Sequence, residues 1–149
     1  MSNYPVHVAF PGRLIFVGFG SIGQGVLPLI LRHVGIKADQ ITIVTADEAG
    51  EKVAQEYGVR FVKHALTRGN FKNVLDPIVG RGDFLLNLSV DVSSLALIKF
   101  CWEKGSLYLD TCIEPWPGGY TDPAVAPARR TNYALREEAL ASKESKQRA

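Results

Sequence analysis

Three glycine residues have the spacing that lets a polypeptide backbone approach a diphosphate. Gly18, Gly20 and Gly23 form the pattern G-x-G-x-x-G directly after the apolar run Leu14–Val17. Apolar residues then recur at helical spacing, at Ile22, Val26, Leu29 and Ile30. A strand, a tight turn and a helix are the context in which this pattern binds the pyrophosphate of a dinucleotide. Gly18 permits the turn, Gly20 leaves room for the phosphates and Gly23 lets the helix pack on the strand, although such a turn can also be purely structural.

An acidic pair follows the second apolar run, about where a dinucleotide fold places its ribose ligand. The run Ile41–Thr45 is followed by Asp47 and Glu48. A carboxylate there accepts hydrogen bonds from the ribose hydroxyls of adenosine and repels a 2′-phosphate. Because no arginine follows within the next several residues, the sequence predicts NAD rather than NADP, with Asp47 as the ribose ligand and Glu48 as the competing candidate. Alternatively, Asp47 only caps the following helix.

Strand-like and helix-like segments alternate five times along the chain, a pattern typical of a doubly wound parallel sheet. We therefore predict an α/β fold of the Rossmann type with strand order 3-2-1-4-5. The predicted strands are Leu14–Val17, Ile41–Thr45, Val59–Lys63, Phe84–Leu88 and Ser106–Asp110. The predicted helices are residues 22–34 with Gly35 as C-cap, residues 48–57, residues 71–79 with Asn70 as N-cap, and a helix from Ser93 or Ser94 to Lys104.

Composition and patterning indicate one domain with two flanking segments. The 149 residues are 46% hydrophobic with a net charge of +2, enough for one core but too weakly basic to indicate nucleic acid or a membrane surface as a partner. We predict an irregular leader over residues 1–13, a dinucleotide-binding domain over 14–132 and a charged helical tail over 133–149. No apolar run could span a bilayer and no signal peptide is recognisable, which favours a cytoplasmic protein. Cys101 and Cys112 lie apart, and no metal site is predicted.

Four segments should converge at the carboxyl ends of the predicted strands, where doubly wound sheets bind their ligands. They are the glycine turn, Asp47, residues 89–91 and residues 111–114. Asp91 and Glu114 would form a negative pocket that attracts an amine cation and stabilises an iminium ion formed by hydride removal. Asp91 can instead be a helix N-cap. Trp116 and Tyr120 either contact the substrate or pack against another domain.

The chain also resembles the N-terminal part of bacterial homospermidine synthase, a family related to saccharopine dehydrogenase. The resemblance rests on VGFGSIGQGVLPLILRH, NLSVDVSSLAL, YLDTCIEPWPGGY and TNYALRE, and it extends from Ile15 to about Leu140. It implies a tightly held NAD that takes a hydride from putrescine, after which ammonia is lost. A second putrescine then condenses with the product and the hydride is returned. The implied product is homospermidine, with no net redox change.

The resemblance further implies roles for individual residues, carried over by position. It places four residues on the pyrophosphate and the adenosine ribose: Gly20, Ser21, Ile22 and Asp47. Four others would line the dinucleotide: Ser89, Val90, Thr111 and Cys112. Asp91 and Glu114 would lie near the diamine, in agreement with the two-carboxylate pocket inferred from their positions.

Members of that family are much longer than this chain. Their second domain closes the substrate tunnel, supplies further side chains around the amines and forms a homodimer. The resemblance therefore implies a truncated synthase that binds NAD but has little or no activity alone, because hydride chemistry requires the exclusion of water. Two alternatives are a stand-alone NAD-binding or regulatory module and a saccharopine dehydrogenase-like oxidoreductase. The latter would need a basic site for its carboxylate-bearing substrate, whereas Asp91 and Glu114 are acidic.

Overall fold

Strands and helices alternate along the chain, as its apolar patterning predicts. The computed structural model describes residues 4–146. Its strands are β1 (Val8–Ala9), β2 (Leu14–Val17), β3 (Val34–Gly35), β4 (Ile41–Thr45), β5 (Arg60–Lys63), β6 (Phe84–Asn87) and β7 (Leu107–Asp110). Its α-helices are α1 (Ser21–His33), α2 (Glu51–Glu56), α3 (Phe71–Leu75), α4 (Ser94–Lys104) and α5 (Asn132–Lys146). In this described part of the chain, no helix has both the length and the apolar character needed to cross a membrane.

Five strands form one parallel sheet in the order β5-β4-β2-β6-β7. β2 lies at its centre, where Val17 is opposite Val44 of β4 on one side and Asn87 of β6 on the other. All four β2 residues are buried, as expected for a strand that has helices on both faces. Counted by first appearance in the chain, these five strands have the order 3-2-1-4-5. The predicted doubly wound α/β fold is therefore confirmed.

Two apolar clusters, one on each face of the sheet, hold the helices against it. On one face, α1 contributes Leu27 to a cluster that includes Phe16 of β2. On the other face, α4 contributes Leu97 and Phe100 to a cluster that includes Ile15. Because successive side chains of a strand point to opposite faces, a strand covered on both sides needs an apolar residue at every position.

Part of the leader, which we predicted to be irregular, forms a strand. β1 pairs in parallel with β3, with Val8 opposite Val34 and Ala9 opposite Gly35. Gly35 is therefore not the C-cap of α1. The helix ends at His33, and its C-cap Val34 has an extended backbone (φ −110°, ψ 136°). A Cβ atom at Gly35 would lie 3.1 Å from the Cα of Ala9. The prediction was wrong because this pairing joins distant parts of the chain and leaves no local pattern. Residues 1–3 lie outside the described chain.

One helix start and one helix end also differ from the predictions. α2 begins at Glu51 rather than at residue 48, because bends and a turn over residues 46–50 precede it. α3 begins at Phe71 with Asn70 at its N-cap position, as predicted, but the Asn70 Oδ1 accepts a hydrogen bond from the Thr67 N–H at 2.7 Å instead of one from the helix. α3 ends at Leu75, short of the predicted residue 79 and just before Asp76-Pro77.

The limits of α4 and α5 lie close to their predicted positions. The Ser93 Oγ accepts a hydrogen bond from the Ala96 N–H at 3.3 Å and so caps α4. Gly105, with a φ of +68°, ends that helix in the left-handed conformation that glycine adopts without strain. α5 begins at Asn132, one residue before the predicted charged tail. Residues 147–149 of that tail lie outside the described chain.

A buried carboxylate fastens the start of β6 to the start of β2. Asp83 is 5% exposed and accepts hydrogen bonds from the Arg13 N–H at 2.8 Å, the Gly80 N–H at 2.7 Å and the Arg13 Nη2 at 2.6 Å. Burial alone would raise the pKa of Asp83, but these hydrogen bonds and the charge of Arg13 outweigh it and lower the pKa.

We expect Asp83→Asn to lower the free energy of unfolding by about 1–3 kcal/mol at neutral pH, because it weakens these charge-assisted hydrogen bonds. The native pKa of Asp83 lies below its unfolded value of 3.8. The carboxylate therefore contributes fully above that value, and its contribution is lost as the pH falls through the native pKa. In urea titrations the difference between wild type and variant should shrink between about pH 6 and about pH 3.

Glu103→Gln is the control for this substitution. Glu103 belongs to an exposed ion pair with Lys72 at 3.5 Å, and such pairs contribute little to stability. Its unfolding midpoint should match that of the wild type across the same pH range. A destabilisation by Asp83→Asn that did not change with pH would contradict the assigned role of the Asp83 charge.

Candidate dinucleotide site

One cleft of about 470 Å³ opens at the carboxyl ends of β2, β4, β5 and β6. It lies at the point where the sheet order reverses, which is where doubly wound sheets bind their ligands. Six of the predicted site residues line it: Gly18, Gly20, Asp47, Ser89, Val90 and Asp91. The remaining predicted residues lie in α1 or in the segment after β7.

The glycine turn forms the floor of this cleft between β2 and α1. Gly18 has a φ of +85°, and a Cβ atom there would lie 2.7 Å from the backbone N and Cα of Ser89. Only glycine fits this position without displacing the Ser89 backbone. In contrast, a Cβ atom at Gly20 would meet nothing within 4 Å, so the backbone at Gly20 is open to a ligand.

The N-terminus of α1 faces this opening without a side-chain cap. Gly20 is the N-cap residue, and within residues 4–146 no side chain caps the helix and no acidic residue lies in its first turn. The first-turn N–H groups and the positive end of the helix dipole are therefore suited to an anionic group. Ser21 and Ile22 lie in this turn with exposed side chains, so they would meet a phosphate through their backbone N–H groups.

Gly23 lies where α1 packs against Phe19 and the sheet. It is buried, and a Cβ atom there would lie 2.9 Å from Cδ2 of Phe19 and 3.6 Å from Cδ1 of Leu88. Phe19 in turn lies beneath the turn that follows β4, where a Cβ atom at Gly50 would approach its ring. Gly23 thus lets α1 come close to the sheet, which positions the first-turn N–H groups.

The structure distinguishes the two acidic residues that follow β4. Asp47 is exposed on the wall of the cleft, and its Oδ1 accepts a hydrogen bond from the Ala49 N–H at 2.9 Å. Asp47 lies outside α2 and its cap, so the alternative that it caps this helix is wrong. The Glu48 carboxylate instead forms an ion pair with Lys63 at 2.7 Å. The hydrogen bond from Lys63 and its charge lower the pKa of Glu48, and Glu48 does not line the cleft.

Asp91 has an unusual backbone conformation on the opposite wall. Its φ is +60°, and it is the one non-glycine residue with a positive φ in residues 4–146. α4 begins at Ser94 with Ser93 as its cap, so the alternative of Asp91 as an N-cap is also wrong. A left-handed conformation costs about 1 kcal/mol or more for a residue with a Cβ atom. Aspartate adopts this conformation more readily than most other residues with a Cβ atom, and the functional role of this exposed carboxylate stays a prediction.

Two backbone hydrogen bonds hold Glu114 beside the segment that carries Asp91. The Glu114 N–H donates to the Ser94 Oγ at 2.9 Å, and the Ser94 N–H donates to the Glu114 carbonyl at 2.8 Å. Ser94 is completely buried and follows Asp91 by three residues. The loop after β7 is thereby fastened to the first turn of α4, and both carboxylates lie at the same end of the sheet.

Thr111 and Cys112 do not line the cleft. Thr111 lies on the wall of a separate apolar groove. The Cys112 Sγ donates to the Glu114 Oε1 at 3.4 Å. That hydrogen bond, with some burial and the charge of Glu114, raises the pKa of the Cys112 thiol. Their predicted contact with a dinucleotide stays a prediction.

The aromatic residues of this loop contact the protein itself. Trp116 packs against Phe71, with ring centroids 5.5 Å apart, at the edge of the α3–α4 cluster. The Tyr120 hydroxyl donates to the Ile113 carbonyl at 2.8 Å. Part of the indole therefore belongs to the core, and these two residues fasten the loop that carries Glu114.

The structure adds a buried polar network that sequence reasoning did not assign to the site. Asn87 is 1% exposed, and its Oδ1 accepts hydrogen bonds from Ser89 N–H at 3.2 Å and Oγ at 2.6 Å. Its Nδ2 donates to the Tyr108 hydroxyl at 3.2 Å, which donates to the Asp110 Oδ2 at 2.9 Å. Burial is the main reason that the pKa of Tyr108 is raised. The signal in the sequence is the single polar residue in the apolar run FLLNL.

Comparison with curated proteins identifies relatives of one kind. The homospermidine synthase of Blastochloris viridis is 42% identical over an alignment of 149 positions that covers 98% of this chain and 31% of that protein. The homospermidine synthase of Mesorhizobium japonicum is also 42% identical, over 97% of this chain and 30% of that protein. The chain therefore spans less than a third of the length of these relatives.

A solved structure shows the same fold. The crystal structure of the homospermidine synthase from Legionella pneumophila in complex with NAD has a TM-score of 0.78 and 41% sequence identity, covering 89% of this chain and 27% of that chain. These findings confirm the resemblance to homospermidine synthase. The family described as "Saccharopine dehydrogenase NADP binding domain" matches residues 14–149. With most of its length matched, this chain belongs to the saccharopine dehydrogenase NADP binding domain family.

Proposed function

We propose that this chain is the NAD-binding portion of a homospermidine synthase. The observation that carries the proposal is the cleft at the switch point of the sheet, where an uncapped helix N-terminus, an open glycine and a carboxylate face the same space. Its relatives at 42% identity are homospermidine synthases. NAD, when bound, supplies a site that accepts a hydride from an amine-bearing carbon and later returns it.

The residues of the cleft fit the pyrophosphate and the adenosine ribose of a dinucleotide. Gly20 leaves the approach to the first turn of α1 clear, so the pyrophosphate can accept hydrogen bonds from backbone N–H groups there. One carboxylate oxygen of Asp47 accepts a hydrogen bond from the Ala49 N–H. The other oxygen can accept hydrogen bonds from ribose hydroxyls. Ser89, fixed by Asn87, lies on the wall nearer to the diamine end.

The same residues favour NAD, although the matching family is described as binding NADP. A 2′-phosphate next to Asp47 would meet a carboxylate, with Glu48 beside it. The ammonium group of Lys63 already forms an ion pair with Glu48 at 2.7 Å. Within the described chain, no lysine or arginine lines the cleft, so a second phosphate would find no counter-charge there.

The proposed substrate is a diamine such as putrescine. Asp91 lines the cleft, and Glu114 lies on the neighbouring loop after β7, bonded to Ser94. Their negative charges would together hold an ammonium group and stabilise an iminium ion. A saccharopine-type substrate carries carboxylates and needs cations for their recognition. The absence of lysine and arginine from the described lining disfavours that alternative.

We further propose that turnover needs the part of a synthase that this chain does not match. Both carboxylate-bearing segments are open to solvent, since Asp91 is exposed and Glu114 only partly buried. Water would reach an iminium ion in such a site. A second domain or a complementing chain would close it. A homodimer, which the resemblance implies, and a cytoplasmic location, which the sequence patterning favours, stay predictions.

Calorimetric titration of the purified chain with NAD tests the cofactor assignment. We expect Asp47→Ala to weaken NAD binding about 10- to 100-fold, because charged hydrogen bonds to the ribose are lost. The ratio of the dissociation constants for NADP and NAD should be smaller in the same variant than in the wild type. Glu48→Ala is the matched control and should keep the wild-type NAD affinity within about threefold. Equal losses in both variants, or no binding by folded wild type, would contradict the assignment.

A second pair of variants tests the approach to α1. Gly20→Ala should weaken NAD binding at least about tenfold, because a methyl group would stand between the backbone and the pyrophosphate. Gly25→Ala adds the same atom at another open position of α1 and should leave NAD binding unchanged. Both proteins should unfold near the wild-type midpoint. If Gly20→Ala bound NAD like Gly25→Ala, the pyrophosphate would not lie at this turn.

A third experiment tests the network that fixes Ser89. Tyr108→Phe removes the acceptor of the Asn87 amide and should lower the free energy of unfolding by about 1–3 kcal/mol. NAD binding should also weaken, because Asn87 is then less firmly held against Ser89. Tyr133→Phe, at a position that is 76% exposed, is the control for both measurements. Unchanged NAD affinity in Tyr108→Phe would show that the network stabilises the fold without shaping the site.

A further inference from the structure

Helices cover the two faces of the sheet unequally. α4 packs against β7 on one face, where Tyr108 joins the same cluster as Leu97. On the other face α1 packs in one cluster with residues of β2 and β4 and with Leu86 of β6, but within residues 4–146 β7 contributes no residue to that cluster. As a consequence, Leu107 and Leu109, on that side of β7, are 54% and 50% exposed.

An apolar groove of about 370 Å³ occupies this uncovered face. Its floor is formed by Phe84, Leu86 and Leu109, and α1 contributes Val26 and Ile30 to its wall. The surface that lines it is entirely apolar. Val8 and Leu109 of its lining are exposed, and exposed apolar side chains that share one groove are suited to bind another apolar surface.

The chemistry of the groove favours a polypeptide over a small molecule. Ligand pockets combine apolar walls with a few polar groups that fix the orientation of the ligand, whereas Thr111 is the one polar residue in the lining of this groove and its exposed lining surface is apolar. Parallel sheets are normally covered by helices on both faces. The apolar side of a helix would therefore complete the cover of β7 on this face.

The relatives carry more than enough chain to supply such a helix. This chain matches 31% and 30% of the lengths of two homospermidine synthases, so about two thirds of each synthase lies outside the match. We propose that the groove is the docking site for an amphipathic helix from that unmatched part of the synthase. The proposal rests on the function proposed above, since the occupant belongs to the same enzyme.

Docking there would also act on the dinucleotide cleft. Leu88 lines both the groove and the cleft, and Thr111 joins the groove to the loop that carries Glu114. A helix seated against Leu109 and Thr111 would restrict this loop from the side opposite to Ser94. The docked helix thus gives the unmatched part of the synthase a direct contact with the wall of the site.

Thiol labelling in a chimera tests the docking site. Residues 1–149 replace the matched segment of the Blastochloris viridis synthase, and Leu109→Cys is introduced in a Cys112→Ser background. A maleimide reagent should label position 109 at least about 100-fold more slowly in the chimera than in the isolated chain, because the docked helix must open first. Leu29→Cys is the control: Leu29 is also 50% exposed, lies on α1 away from the groove, and should label alike in both proteins.

Several outcomes would overturn the proposal. One is equal labelling of position 109 in both proteins, and another is equal protection of positions 109 and 29. Slow labelling of position 109 in the isolated chain that becomes fast on dilution would show that a second copy covers the groove. If the chimera does not fold, the unmatched part of the synthase is co-expressed with the isolated chain, and lack of protection in that pair also overturns the proposal.

NAD titration of the unsubstituted proteins separates this inference from the proposed function. NAD binding without protection of position 109 would reject the docking site alone. Protection of position 109 without NAD binding in the chimera would reject the cofactor assignment alone. As a second variant, Leu109→Lys should lower the thermal midpoint of the chimera and leave that of the isolated chain nearly unchanged, since the side chain is half exposed there. Equal shifts in both proteins would also count against docking.

Discussion

Gly18 lies so close to the backbone of Ser89 that a Cβ atom there would come within 2.7 Å of it. This close approach holds the turn after β2 against the end of β6. Gly18 has a left-handed φ of +85°, which residues other than glycine rarely adopt. The direction of α1 depends on this turn. The positive end of α1 therefore points into the space that Ser89 and Asp91 border.

The other wall of the site depends on polar groups that satisfy one another. Ser94 exchanges two hydrogen bonds with the backbone of Glu114, while Asn87 connects Ser89 to Tyr108. Buried polar groups are costly unless they are paired, so these pairings select one arrangement of the loops after β6 and β7. They keep the carboxylate-bearing segments near each other through the backbone of Glu114 and the side chain of Ser94, while the Glu114 carboxylate accepts a hydrogen bond from the Cys112 thiol.

Local patterns in the sequence predicted the parts of the fold that local chemistry determines. The apolar run Leu14–Val17, the glycine spacing after it and the alternation of segments were enough to predict the sheet and its strand order. Contacts between distant residues were not predictable in this way. The strand at Val34–Gly35 exists because of its pairing with Val8–Ala9, and the bonds between Ser94 and Glu114 join residues twenty positions apart. The groove beside β7 is exposed because no element of the described chain covers Leu109. No local pattern in the sequence predicts this.

NAD bound across the switch point would have its pyrophosphate at the N-terminus of α1. Amide chemical-shift mapping of the isotopically labelled chain during NAD titration would locate the bound dinucleotide residue by residue. The largest shifts should occur at Gly18, Gly20 and Ile22, with further shifts at Asp47 and Ser89 and none at Leu29 or Tyr133. Shifts confined to the groove beside Leu109, or no shifts in a folded chain at millimolar NAD, would show that NAD does not bind at the N-terminus of α1.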